Sequence, residues 1–195
     1  MRRFGATLLF LFPALIPSAS LPLPPVTQKF LALFQNLREA QDQPAASRRP
    51  VSFTLSGTEI NDYMRYALHT TPRPGVDSVA VKIFQHNYVS TFTMVDFDAV
   101  ERWRPGTIPA VLRPVLHGKQ SIWVDFQFTA VNAKVAFSVE KAYYGTLRLP
   151  AFFVQKMIQI VAARQPEHYD TSKPVPLPFG LRQLWTENGV VKGNN

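Results

Sequence analysis

Residues Val26 to Gln43 place Phe30, Leu33, Phe34 and Leu37 at i, i+3, i+4 and i+7, the spacing that makes one side of an α-helix apolar. The pattern predicts an amphipathic helix, reached through Pro22, Pro24 and Pro25. Pro44 to Pro50, with Arg48 and Arg49 inside it, breaks the period and reads as a linker. Val51, Phe53 and Leu55 then alternate with Ser52 and Thr54, as in a short strand with one buried face. A second helix follows at once. Ser56 and Glu59 stand at capping-box spacing, and Ile60, Tyr63, Met64, Ala67 and Leu68 form one apolar stripe. The prolines and glycine of Thr71 to Gly75 force a turn.

Beyond that turn the dominant period is two. Val79, Val81 and Ile83 alternate with Ala80 and Lys82, and after Gln85-His86-Asn87 the run Tyr88 to Val95 is rich in β-branched and aromatic residues, which predicts a hairpin. Ile122, Val124, Phe126, Phe128 and Ala130 alternate with polar residues and Trp123. Lys134 to Tyr144, with Val135, Phe137 and Val139 on one face, supplies the partner across a short turn. Between these hairpins, Asp98 to Leu116 reads as a broken helical crossover around Pro105 and Pro114. A third helix is expected to open at Pro150 and carry Phe153, Met157, Ile160 and Val161 on one face. After Pro174, Pro176 and Pro178, the segment from Leu181 to Glu187, Asn188-Gly189 and Val190-Val191 predicts a closing hairpin. The pattern is α+β.

The first twenty residues add a destination. Arg2 and Arg3 precede an apolar run from Phe4 to Ile16, and Ser18 and Ser20 stand at the −3 and −1 positions of a cleavage site. The run is shorter than the roughly 20 residues a membrane-spanning helix needs. We therefore expect a signal peptide at 1–20, a helix and linker at 21–50, a single α+β domain at 51–195, and a periplasmic or secreted protein. The chain contains no Cys, so a thioether lipid anchor, a disulfide framework and a thiol nucleophile are all chemically unavailable. Without Arg2 and Arg3 the chain keeps 19 basic and 13 acidic residues, a formal charge of +6. An exported basic chain with no long basic run points to an anionic membrane surface rather than to nucleic acid.

No residue set announces a reaction. His69, His86, His117 and His168 lack metal-binding spacing. Asp96 and Asp98 form an Asp-x-Asp pair that can cap a turn, bind a cation or act as acid and base, and Glu140 lies on a strand. Ser90, Ser121 and Ser138 lack a nucleophile-elbow pattern. No cofactor or metal is expected, and a hydrolase using Asp96, Asp98 or Glu140 is the weakest reading.

Phe126, Phe128, Phe137 and Tyr143 pose a different question, because together they offer more apolar surface than one thin sheet normally buries. Either the helices fill that face as an ordinary core, or a cavity remains for an acyl or isoprenoid chain. The residues that would line such a cavity are Met64, Val124, Phe126, Phe128, Phe137, Val139, Phe153 and Met157. Arg102, Trp103, Arg104 and Arg113, in the crossover, have the aromatic and basic composition of a membrane-contact segment.

Three stretches carry a resemblance. Leu55-Ser56-Gly57-Thr58-Glu59-Ile60-Asn61-Asp62-Tyr63-Met64, Gly145-Thr146-Leu147-Arg148-Leu149-Pro150, and Leu177-Pro178-Phe179-Gly180-Leu181 before Asn188-Gly189 follow one another in the order found in small exported bacterial domains of the YceB-like and LmeA-like kind. Those domains are placed near the tubular lipid-binding (TULIP) superfamily, and the chain resembles them over about Val51 to Lys192. The resemblance implies a curved antiparallel sheet wrapped around or packed on one long helix plus a second helix, a lipid-sized apolar interior, and lipid binding or transport in the cell envelope without catalysis. The alternative is an envelope structural or interaction protein whose core is filled by its own side chains. The chain departs from that pattern in having no lipid-anchor cysteine, and its helix from Val26 has no counterpart there.

Overall fold

The structure, a computed structural model, describes residues 23–44, 47–108, 110–150, 152–156, 159 and 173–195. Residues 1–20, read from the sequence as a signal peptide, lie outside them. Helix α1 spans Pro25–Asp42, with Pro at its first position, where its missing N–H costs nothing. Strand β1, Ser52–Ser56, runs directly into helix α2, Gly57–Thr70. Both halves of the predicted capping box form: the Glu59 amide donates to Ser56 Oγ at 3.1 Å, and the Ser56 amide to Glu59 Oε2 at 2.8 Å.

Strands β2 (Val76–Ile83), β3 (Tyr88–Asp96), β4 (Lys119–Val131), β5 (Lys134–Tyr144) and β6 (Leu147–Leu149) follow in chain order in one curved antiparallel sheet, and β7 (Val175–Pro176) pairs with β5 to complete six strands. Helix α3, Phe97–Trp103, and a 3-10 turn at Ala110–Leu112 make the crossover between β3 and β4. A second sheet orders β1, β9 (Val190–Asn194) and β8 (Gln183–Glu187). Residues 152–156 are helical, as expected after Pro150, while Met157, Ile160 and Val161 lie outside the described residues. The fold is α+β, as the hydrophobic pattern and the resemblance implied.

Two bulges shape the large sheet. Asp77 is extra in β2, and Glu140 is extra in β5, where Asp125 pairs with Lys141 but Phe126 pairs with Val139. The inserted Glu140 shifts the parity of β5. Val135, Phe137 and Val139 share the inner face with Ala142 and Tyr144, and Tyr143 turns outward opposite Trp123. This corrects the inward aromatic set read from the sequence, which included Tyr143 by strict alternation.

The edge of β2 is closed by a side chain. Asn61 of α2 donates through Nδ2 to the Val81 carbonyl at 2.9 Å and accepts the Val81 amide at 2.7 Å, so the helix supplies the hydrogen bonds of a missing strand. Helix α1 packs on α2 through Phe30 and Tyr63, stacked with ring centroids 4.4 Å apart. Gly75 answers a close approach: at φ +84° a Cβ there would lie 2.6 Å from the Asp96 carbonyl oxygen.

Candidate functional site

The inner face of the large sheet is closed at both ends by the chain itself. At one end Phe128 and Val135 are buried with Leu37 of α1 and with Val175, Leu177 and Leu181. At the other, Val95, Phe97, Ile108 and Leu116 form a second cluster, joined by Val100, Ile122 and Tyr144, whose hydroxyl donates to the Val115 carbonyl at 2.7 Å. Between them the cover is uneven: Ala142, paired with Val124, and Val89, paired with Phe126, are buried, while other side chains are partly exposed. Val124, Phe126 and Val139 are half-buried, and Phe137 is 42% exposed. Phe126 and Phe137 meet edge to face at 5.8 Å. Thr91 pairs with Val124 and donates its hydroxyl to the Val124 carbonyl at 3.2 Å, so it leaves no unsatisfied donor in this strip. The strip is apolar and uncharged, suited to hydrocarbon.

The structure thus brings Val124, Phe126, Phe137 and Val139 together and assigns Phe128 to the closed cluster beside them, against which Phe126 also packs. Met64 is buried on α2, and Phe153 is half-buried beside the buried Val154 in the helical residues 152–156. Met157 lies outside the described residues. A cleft of about 410 Å³ opens elsewhere, between the last turns of α2 and the start of β2, lined by Arg65, Leu68, His69, Asp77 and Val79 among others. It contains none of the residues that the sequence nominated.

The crossover is held together by Glu101, whose carboxylate accepts from the Gly106 amide at 2.8 Å, the Ile108 amide at 3.0 Å and the Arg113 guanidinium at 2.7 Å. Arg102, Trp103 and Arg104 follow it at the exposed end of α3. Of the carboxylates considered for catalysis, Asp96 and Asp98 stand at the start of α3 and Glu140 on β5. Asp96 caps α3 by accepting the Ala99 amide at 2.9 Å, and Glu140 sits at the β5 bulge and accepts from Ser138.

Sequence reasoning missed the outer face. Phe92, Trp123, Tyr143 and Arg148 stand in one cross-strand row over β3 to β6, with Phe92 and Trp123 edge to face at 6.3 Å. Trp123 Nε1 donates to Asp125 at 2.7 Å. Burial works to raise the Asp125 pKa, but hydrogen bonds from Ser90, Trp123 and Tyr88 outweigh it and hold the group below its ordinary value. Trp123 was visible at an outward position of β4, but its neighbour Tyr143 depends on the bulge.

No protein-family model matches the chain, and no curated protein matches it. Among solved structures, one described as the crystal structure of lipopolysaccharide binding protein is weakly similar, at 11% identity and a TM-score of 0.22. The match covers 73% of this chain and 39% of that one, so this chain spans well under half of that protein's length. A likeness at that score carries no argument about ligand or mechanism.

Proposed function

We propose that the protein is an exported binding protein for a hydrophobic, chain-like ligand of the lipid or isoprenoid class, acting in the cell envelope without covalent chemistry. The observation that carries the reading is the uncharged inner strip of Val124, Phe126, Phe137 and Val139, left partly open between two closed clusters. Ten methylenes, if fully buried there, would contribute roughly 8 kcal/mol, above the lower range of association costs of about 4 to 15 kcal/mol. Four methylenes contribute roughly 3 kcal/mol and fall short. The ligand class is therefore a long chain. The two closed clusters favour a second reading, an interaction protein whose sheet is filled by its own side chains.

Native mass spectrometry with lipid extraction, on protein purified from a membrane-containing host, separates them. Stoichiometric lipid that detergent displaces is the expected result. Phe137→Asp, at a 42% exposed position, is expected to keep the fold and lose the lipid, whereas Phe128→Asp, buried in the cluster with Leu37 and Val135, is expected to unfold the protein. A wild-type protein that is free of lipid and takes up none in titration supports the interaction-protein reading. A fully loaded Phe137→Asp variant removes the strip from consideration.

A further inference from the structure

We infer that the outer face of the large sheet binds an extended, uncharged pyranose glycan along the row Phe92, Trp123, Tyr143 and Arg148. Register fixes the row: Phe92 pairs with Trp123, Trp123 with Tyr143 and Tyr143 with Arg148, so β3 to β6 set these side chains directly opposite one another on one face. Trp123 is 45% exposed, yet its ring is held from two sides. Asp125 accepts its indole N–H at 2.7 Å, and the Phe92 ring meets it edge to face at 6.3 Å. The one polar group of the indole is thus satisfied within the protein, and what remains for a partner is aromatic surface. A ring already held in place loses little conformational freedom on binding.

The chemistry of the face fits a sugar chain. A pyranose turns C–H bonds toward the electron-rich face of an aromatic ring and carries its hydroxyls around its rim. The neighbouring outward row can meet those hydroxyls, because Lys82, Ser90, Asp125 and Lys141 stand in register beside the aromatic row. Arg148 ends the aromatic row with an exposed guanidinium, a planar fork of donors. Neighbouring strands stand about 4.8 Å apart, close to the repeat of one sugar in an extended β-1,4-linked chain, so successive sugars can meet successive side chains. The charges here are of both signs, Lys82, Lys141 and Arg148 with Asp125 and Glu140. That mixture suits a neutral, hydroxyl-rich chain and sets carboxylates against a polyphosphate. A protein partner is disfavoured by size. Three rings of about 150–250 Å² each, of which Phe92 and Tyr143 are half-buried, fall below the roughly 800 Å² per partner of a stable protein interface. The glycan row and the inner strip lie on opposite faces of the sheet, so the two readings fail independently.

The test is titration of the purified protein with cellohexaose and with chitohexaose at millimolar concentration, read by NMR and calorimetry. Binding is expected to shift the Trp123 indole signal and to leave those of Trp103 and Trp185 in place. Trp123→Ala is expected to weaken binding about tenfold. Tyr143→Ala is expected to weaken it severalfold, and Tyr143→Phe, which keeps the ring, to bind as wild type does. These changes lie at exposed or half-buried positions, and an unshifted thermal midpoint confirms the fold. Phe137→Asp, on the inner face, is expected to bind both hexamers as wild type does, so loss of lipid and loss of glycan are read separately. Failure of the wild type to bind either hexamer overturns the inference, as does equal affinity of wild type and Trp123→Ala. Tighter binding of an oligothymidylate that Trp123→Ala abolishes would assign the face to single-stranded nucleic acid, and self-association that the same variant abolishes would assign it to a second copy of the chain. Either result overturns the inference.

Discussion

Asn61 shows how one side chain can serve both the local and the global structure. It lies on α2, yet its amide completes the hydrogen bonding of Val81 at an open strand edge. Asn61→Ala leaves a part-buried backbone donor and acceptor unpaired, each costing about 1–3 kcal/mol. The expected loss, read by urea denaturation, is about 2 kcal/mol or more, well above an ordinary surface change. A loss below about 0.5 kcal/mol would show that water replaces the side chain freely.

At the scale of elements, the junction of α1 and α2 depends on Glu59. Its carboxylate completes the capping box and also meets the Lys29 ammonium of α1, beside the stacked Phe30 and Tyr63 rings. The hydrogen bond from Lys29, and then that from the Ser56 amide, lowers the Glu59 pKa from its ordinary value of 4.5. A carboxylate lowered on folding adds stability that is present above the unfolded pKa and lost as pH falls through the folded one. Gln can still cap but cannot pair with Lys29 as an anion. Wild type is therefore expected to exceed Glu59→Gln in stability at pH 7 and to lose that margin as pH falls below about 4.5. Chemical denaturation at a series of pH values reads the difference, and a margin independent of pH would assign the effect to packing.

Across the whole molecule, the two sheets meet where the turns of the large sheet touch β8. The Asn87 amide donates to Thr186 Oγ1 at 2.7 Å, and the Thr186 amide donates to Asn87 Oδ1 at 2.8 Å. Thr186 is buried, and the Ala133 amide adds a further bond to the Arg182 carbonyl. Thr186→Val conserves shape while removing one acceptor, so about 1–3 kcal/mol of global stability is expected to go. If the sheets form one cooperative unit, denaturation stays a single transition and amide exchange accelerates in both. Acceleration confined to β8 and β9 would show that the small sheet opens by itself.

The sequence by itself determined the elements whose causes are local. Ser56 and Glu59 are three residues apart, so their capping box is written in the chain, and the alternation from Ile122 to Ala130 places Val124 and Phe126 on one face wherever the strand lies. The helix from Val26 was legible as amphipathic, but not its docking, since the burial of Phe30 and Leu37 depends on Tyr63, Val135 and Leu177 far along the chain. The candidate strip was legible as apolar residues. Whether Phe128 is sealed and Phe137 open depends on what packs over each, which no local pattern states. Only the tertiary structure could turn Tyr143 outward, through one extra residue at Glu140, and set it in register with Trp123 and Arg148. Periodicity reports the face a residue occupies within its own element. Register, bulges and packing decide which faces meet, because they are settled between segments distant in sequence.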